Sequence, residues 1–183
     1  SGAVGAIVGQ IAKLNGCRVV GIAGSDKKVA YVIDELGFDA GINHRSTEDM
    51  GAALDAACPN GIDVYFDNVG GPITDAVMAR LGFRARVVIC GQISQYNLET
   101  PPQAPSVLRP LLIKQARMEG FIVGSFQAKF EEGRTRIAQW IRDGKLKYRE
   151  DITDGIENAP EQFSELLRGH NFGKKLIRMF PDA

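Results

Sequence analysis

Gly2 and Gly5, in the opening run Ser1-Gly2-Ala3-Val4-Gly5, stand at the head of an apolar-periodic stretch. A glycine turn that opens a helix lets backbone approach an anion closely. The helix adds free amide groups and the positive end of its dipole. In the pattern GxGxxG, Gly2 and Gly5 take the second and third glycine positions, and the first falls before residue 1. A helix start kept small for packing is the alternative. About twenty residues on, a strand ends in "GIAGSDKK", where folds that take NAD carry an Asp or Glu for the ribose 2′-hydroxyl. Ala23 and Gly24 hold that place here, and Lys27 and Lys28 follow. Small residues leave room for a 2′-phosphate and an ammonium offsets its charge, so this strand end favours NADP(H). Asp26 departs from the pattern but can cap the helix. A solvated first turn is the other reading of the lysines, although cations at a helix N-terminus cost roughly 0.3–1 kcal/mol.

Such groups need elements that bring turns and strand ends into place. Residues 3–15 read as a helix, with Val4, Ile7, Val8, Ile11 and Leu14 on one face and Gly16 as its stop. Residues 17–23 read as a buried strand. Residues 25–37 form the next helix, capped by Ser25 or Asp26 and ended by Gly37. "AGINH" is a short strand, and "STEDMGAALDAAC" a helix opened by a capping-box-like Ser46 and Asp49. The strand "IDVYFDNVGG", helix "ITDAVMARLG" and strand "RARVVICG" follow. Residues 92–105 are a polar loop, 106–117 a helix that Pro110 kinks or shortens, 118–124 a strand, and 130–145 an amphipathic helix with Ile137, Trp140 and Ile141 inward. After about residue 149 a loop, a helix and a final strand complete the chain. Short apolar strands alternating with helices predict an α/β, doubly wound parallel sheet of Rossmann type.

Composition narrows the partners. The 183 residues carry 22 acidic and 22 basic side chains and are 44% hydrophobic. That balance argues against nucleic acid, and no apolar run reaches membrane-spanning length. Cys17, Cys58 and Cys90 are too few and too scattered for a disulfide framework or a zinc cluster. They read as buried thiols in a reducing, cytoplasmic setting, and no metal site is expected.

The blocks "GAVGAIVGQIAKLNGCRVVGIAGSDKKVAY", "GIDVYFDNVGG", "CGQISQYN", "RMEGFIV" and "NFGKKLI" resemble the medium-chain dehydrogenase/reductase superfamily. Within it they resemble the zinc-free alkenal/one reductases of the prostaglandin, leukotriene and curcumin type. The resemblance runs in order over nearly the whole chain. It implies NADPH-dependent reduction of a carbon–carbon double bond conjugated to a carbonyl, by hydride transfer, on a small α,β-unsaturated substrate. It also implies a two-domain subunit, with a homodimer formed through the nucleotide domain. Against that pattern the first Rossmann strand and the N-terminal catalytic domain are absent. Residues 1–148 are then the NADP-binding domain, and residues 149–183 a tail belonging to the catalytic domain. On this expectation the 183 residues alone are inactive, and the gap beside two inner strands makes them unstable or prone to associate.

The resemblance assigns roles residue by residue. Gly2, Ala3, Val4 and Gly5 match the pyrophosphate turn, and Lys28 the 2′-phosphate lysine. His44 falls where these enzymes commonly carry a tyrosine beside the same phosphate; an exposed loop histidine is the alternative. Asn68 matches a cofactor-contacting asparagine, or is merely a turn former before Gly70 and Gly71. Cys90, Gly91, Gln92, Ile93, Ser94, Gln95 and Tyr96 match the loop near the nicotinamide ribose. Cys90 defaults to a packing residue. Tyr96 is the catalytic candidate, since a phenol can hydrogen-bond a ribose hydroxyl or a developing enolate oxygen and can donate a proton. Phe121, Ile122 and Val123 match a stretch whose backbone meets the nicotinamide carboxamide, or form a plain core strand. Asn171 matches a tail asparagine that reaches the cofactor. A catalytically silent nucleotide-binding module and a quinone reductase are the competing functions. A zinc alcohol dehydrogenase needs ligands that these residues do not supply.

Overall fold

The computed structural model describes residues 1–180. It divides into two compact units, Ser1–Asn43 with the segment from Arg136 onward, and His44–Thr135. Every ladder in both is parallel, and helices connect the strands, which is the α/β architecture that the alternating pattern predicts.

In the first unit, α1 (Gly5–Leu14) leads to β1 (Val20–Ala23), and α2 (Asp26–Ala30) continues into a π-helical turn at Tyr31–Glu35 before β2 (Ala40–Asn43). β1 pairs with β2 from Val20↔Ala40 to Ala23↔Asn43. Ser25 caps α2 by accepting the Lys28 amide, which leaves Asp26 to accept a hydrogen bond from Asn43 Nδ2 at 2.7 Å. The core gathers Ala6, Tyr31, Val32, Leu36 and Phe38, with Val19, Ile33 and Phe172 against it. Gly9 is required here, because a Cβ at that position would collide with the Phe38 ring.

The chain returns to this unit through α6 (Phe130–Arg142) and ends with β6 (Glu150–Asp154), α7 (Ala159–Leu167) and β7 (Lys174–Arg178). β6 corrects the expected loop. Its sequence, Glu-Asp-Ile-Thr-Asp, lacks an apolar strand signature, yet its register sets Glu150 opposite Lys174, Asp151 opposite Lys175 and Asp154 opposite Arg178. Opposite charges directly across a ladder stabilise it. The Asp151–Lys175 pair closes at 2.9 Å. On α6, Ile137 and Trp140 are half-buried, but Ile141 is exposed rather than inward.

The second unit holds α3 (Met50–Ala57), β3 (Ile62–Asp67), α4 (Pro72–Met78), β4 (Leu81–Ile89), α5 (Leu108–Lys114) and β5 (Arg117–Gly120), with strand order β3-β4-β5. Leu54, Val77, Met78, Leu81, Ala85 and Val87 form its buried interior. The cap of α3 is Asp49, which accepts the Ala52 amide at 2.9 Å; Ser46 lies in the preceding turn. Pro110 sits in the first turn of α5, where its missing N–H costs nothing, so the helix is short but unkinked by it. None of the three cysteines is buried: Cys17 is exposed, and Cys58 and Cys90 are half-buried free thiols. The reading of all three as interior groups is therefore corrected.

Candidate functional site

In the first unit three of the sequence-predicted residues, Gly2, Lys28 and Asn171, meet on one turn. α1 starts after Val4 with no side-chain cap. Neither Gly2 nor Gly5 has positive φ, and a Cβ on either would meet nothing within 4 Å. Packing therefore explains Gly9 but explains neither of the others. Gly2 forms a parallel bridge with Gly173, where a Cβ would run into the Arg149 carbonyl. Asn171 Nδ2 donates to the Gly173 carbonyl at 3.0 Å, and the Lys28 ammonium donates to the Gly169 carbonyl at 2.6 Å. Gly2, Lys28 and Asn171, far apart in sequence, thus converge on residues 169–173. Ala3 is half-buried beside them and Val4 is exposed. At the strand end Ala23 is buried, and no acid stands at position 23 or 24.

Phe172 anchors that turn. Its ring meets Tyr31 edge-on at 5.0 Å and takes the Arg149 guanidinium at 4.2 Å and the Lys27 ammonium at 5.5 Å. Its amide donates to Asp151 Oδ2 at 3.0 Å. Burial pushes the Asp151 carboxyl up, but the Lys175 ammonium and the Phe172 amide outweigh it and leave the pKa lowered.

In the second unit the carboxyl ends of β3 and β4 carry two interlocked loops. Asp67, buried to 1%, accepts the amides of Val69 at 2.8 Å and Gly70 at 2.9 Å and the Thr74 hydroxyl at 2.5 Å. Gly70 and Gly71, at φ +75° and +69°, allow the tight turn this needs. The Asp67 carbonyl accepts the amides of Cys90 and Gly91, at 2.7 and 3.3 Å. Ile93 N–H reaches the Asn68 carbonyl, and Ser94 binds the Val69 carbonyl through both its amide and its hydroxyl. The Gln92 amide donates to the Tyr96 hydroxyl at 3.1 Å. A Cβ on Gly91 would press on Asn68 Oδ1 and the Tyr96 oxygen, so both groups flank that glycine. The Gln95 amide nitrogen lies near Gly70. Tyr65, whose hydroxyl is 3.4 Å from Thr74 Oγ1, is pushed well up by burial and stays protonated.

Phe121 extends the ladder past β5, donating to the Ile89 carbonyl at 3.2 Å, with its ring 6.4 Å from Phe66. The strand expected over 118–124 ends there. Ile122 and Val123 are exposed, the latter opening a 3₁₀ turn, so the alternative of a plain core strand fails at these two residues but not at half-buried Phe121. His44 occupies the turn after β2, half-buried, beside an exposed Arg45.

Sequence reasoning missed Asp67, Gly169 and Asp151. An acid at a strand end directly before Asn-x-Gly-Gly was signal enough for Asp67. Nothing local marks the other two, because their partners lie 141 and 21 residues away. Among the described residues, no group of three or more His, Cys, Asp or Glu could hold a metal ion. Nor is any described helix long and apolar enough to cross a membrane.

The chain is 45% identical over 187 residues to the NADPH-dependent curcumin reductase of Escherichia coli, covering all of this chain and 54% of the relative. It is 46% identical over 180 residues to prostaglandin reductase 1 of Rattus norvegicus, covering 97% and 54%. The solved structure of CurA from Vibrio vulnificus in complex with NADPH superposes with a TM-score of 0.93 at 45% identity, covering 99% of this chain and 55% of that one. The chain thus spans about half the length of the relatives it matches. The profile of the family described as zinc-binding dehydrogenase matches residues 3–139, three quarters of the sequence, and the chain belongs to that family.

Proposed function

We propose that these residues form the coenzyme-binding part of an NADPH-dependent reductase acting on the conjugated carbon–carbon double bond of enones and alkenals. The observation that carries the coenzyme reading is the pair Gly2 and Gly5. They open an uncapped helix where neither packing nor dihedral angle calls for glycine. The fit extends to Lys28, a cation held next to a strand end without an acid. The substrate class is supported by the relatives, a curcumin reductase and a prostaglandin reductase. A homodimer is part of the same reading, supported by exposed Leu108, Leu112 and Ile113 on α5 and exposed Ile122 and Val123 just after β5. So are a nucleotide domain over 1–148 with a tail over 149–183, and a reducing, cytoplasmic setting suited to free thiols.

NADPH, when bound, supplies hydride to the β-carbon of the substrate. The glycine turn and the amides of the first turn of α1 receive the diphosphate. Lys28 receives the 2′-phosphate. In the first unit Asn171 is the further coenzyme-contacting candidate; in the second unit His44, Asn68, the 90–96 loop and the backbone of Phe121–Val123 are the candidates. Tyr96 already accepts the Gln92 amide hydrogen, which strengthens its own O–H as a donor. That proton is directed to a coenzyme ribose hydroxyl or to the developing enolate oxygen.

The test is enone-dependent NADPH oxidation by the intact protein, with product analysis. Reduction of the double bond with the carbonyl retained is expected. Binding of NADPH without turnover, or reduction of the carbonyl or of quinones only, contradicts the reading.

A further inference from the structure

Lys28 is held from outside its own helix. Its ammonium reaches the carbonyl of Gly169, which ends α7 in a left-handed conformation at φ +74° and donates its own amide to Leu166 O at 3.0 Å. The residues that follow are pinned several times over. The His170 amide donates to Glu165 O at 3.0 Å, and its ring bonds the Glu165 carboxylate. Asn171 binds Gly173, and Phe172 is fixed by Asp151, Tyr31 and Arg149. A carbonyl on such a turn is a fixed acceptor, and it lies at the negative end of the α7 dipole, which suits a cation.

A free lysine side chain loses much rotamer freedom when it meets a phosphate. An ammonium has three N–H donors, so a bond to one carbonyl does not by itself exhaust it. We propose that the Gly169 carbonyl is a positioning group for coenzyme selectivity: it aims the Lys28 ammonium at the 2′-phosphate. The inference rests on the NADP(H) reading above. It extends selectivity from the strand end to the turn after α7, 141 residues away in sequence.

The test measures dissociation constants for NADPH and NADH in the intact protein with Gly169→Val, Gly169→Asn, Lys28→Ala and the Gly169→Val/Lys28→Ala double variant. A β-branched residue resists the left-handed region and swings the carbonyl, whereas Asn tolerates it. Gly169→Val is expected to weaken NADPH roughly threefold to tenfold, the worth of one pre-ordered side chain, and to leave NADH unchanged. Gly169→Asn keeps the wild-type preference, and Gly169→Val has no further effect once Lys28 is removed. Equal weakening of both coenzymes, or a loss that adds to that of Lys28→Ala, overturns the positioning role while leaving the NADP(H) reading intact. No change in either coenzyme on Lys28→Ala overturns both. Should Gly169→Val not fold, Gly169→Ala enters the same comparison.

Discussion

The side chain of Gln10 and the backbone of Lys147 exchange two hydrogen bonds, Nε2 to the carbonyl and the amide to Oε1, each at 2.8 Å. Gln10 is buried on the inner face of α1 and also donates to the Ala6 carbonyl at 3.1 Å. This ties the helix behind the glycine turn to the segment leading into β6. Gln10→Ala strands a part-buried amide and carbonyl, so a loss of about 3 kcal/mol is expected in denaturant unfolding. The preference for NADPH over NADH should survive in the folded fraction. A loss under about 0.5 kcal/mol would show that water replaces the side chain without cost.

Gly5 and Gly9, one turn apart on α1, should respond oppositely. An alanine at Gly5 meets open space, and it lowers the entropy of the unfolded chain, so stability should hold or rise by up to about 1 kcal/mol. NADPH affinity should fall, because a methyl group intrudes on the diphosphate. An alanine at Gly9 collides with Phe38 and should destabilise by about 1–3 kcal/mol. Thermal unfolding and coenzyme titration of the two variants separate the effects. A Gly5→Ala variant with unchanged affinity would mean that the turn does not hold a diphosphate.

Asp67 secures both loops at the carboxyl ends of β3 and β4. Asp67→Ala removes a buried acceptor from two amides and a hydroxyl, and a loss of about 3 kcal/mol is expected. Asp67→Asn keeps the shape and two of the three acceptances and should cost less than half as much. Equal losses for the two variants would shift the explanation from hydrogen bonding to charge.

Much of this was legible in the chain and some was not. The helix over 3–15 and the strands ending at Ala23 and Asp67 follow from apolar periodicity, which reflects burial on one face. β6 was illegible because its ladder partner, β7, lies 24 residues further on, and no local pattern records a partner. Ile122 and Val123 read as core because apolar type signals burial only when a neighbour covers it. In the site, Lys28 is visible as a cation after an acid-free strand end. The carbonyl that holds it is backbone, which has no sequence signature.

Asp39 offers a pH test. The Lys13 ammonium, at 2.9 and 3.0 Å from its two oxygens, and the Val19 amide at 2.6 Å hold the Asp39 carboxyl below its ordinary value. A lowered folded-state pKa contributes stability above the unfolded carboxyl's pKa, and that contribution disappears as pH falls through the folded one. Wild type should therefore be more stable than Lys13→Ala at neutral pH, with the gap closing in the acid range below ordinary carboxylate titration. A gap independent of pH would assign the difference to packing of the lysine stem.

The most direct measurement compares NADPH and NADH affinity before and after Lys28→Ala in the intact protein. Loss of a charge-assisted contact to the 2′-phosphate predicts that NADPH weakens by about 10- to 100-fold while NADH stays constant. Equal affinities for both coenzymes in wild type, unaltered by the substitution, would contradict the account.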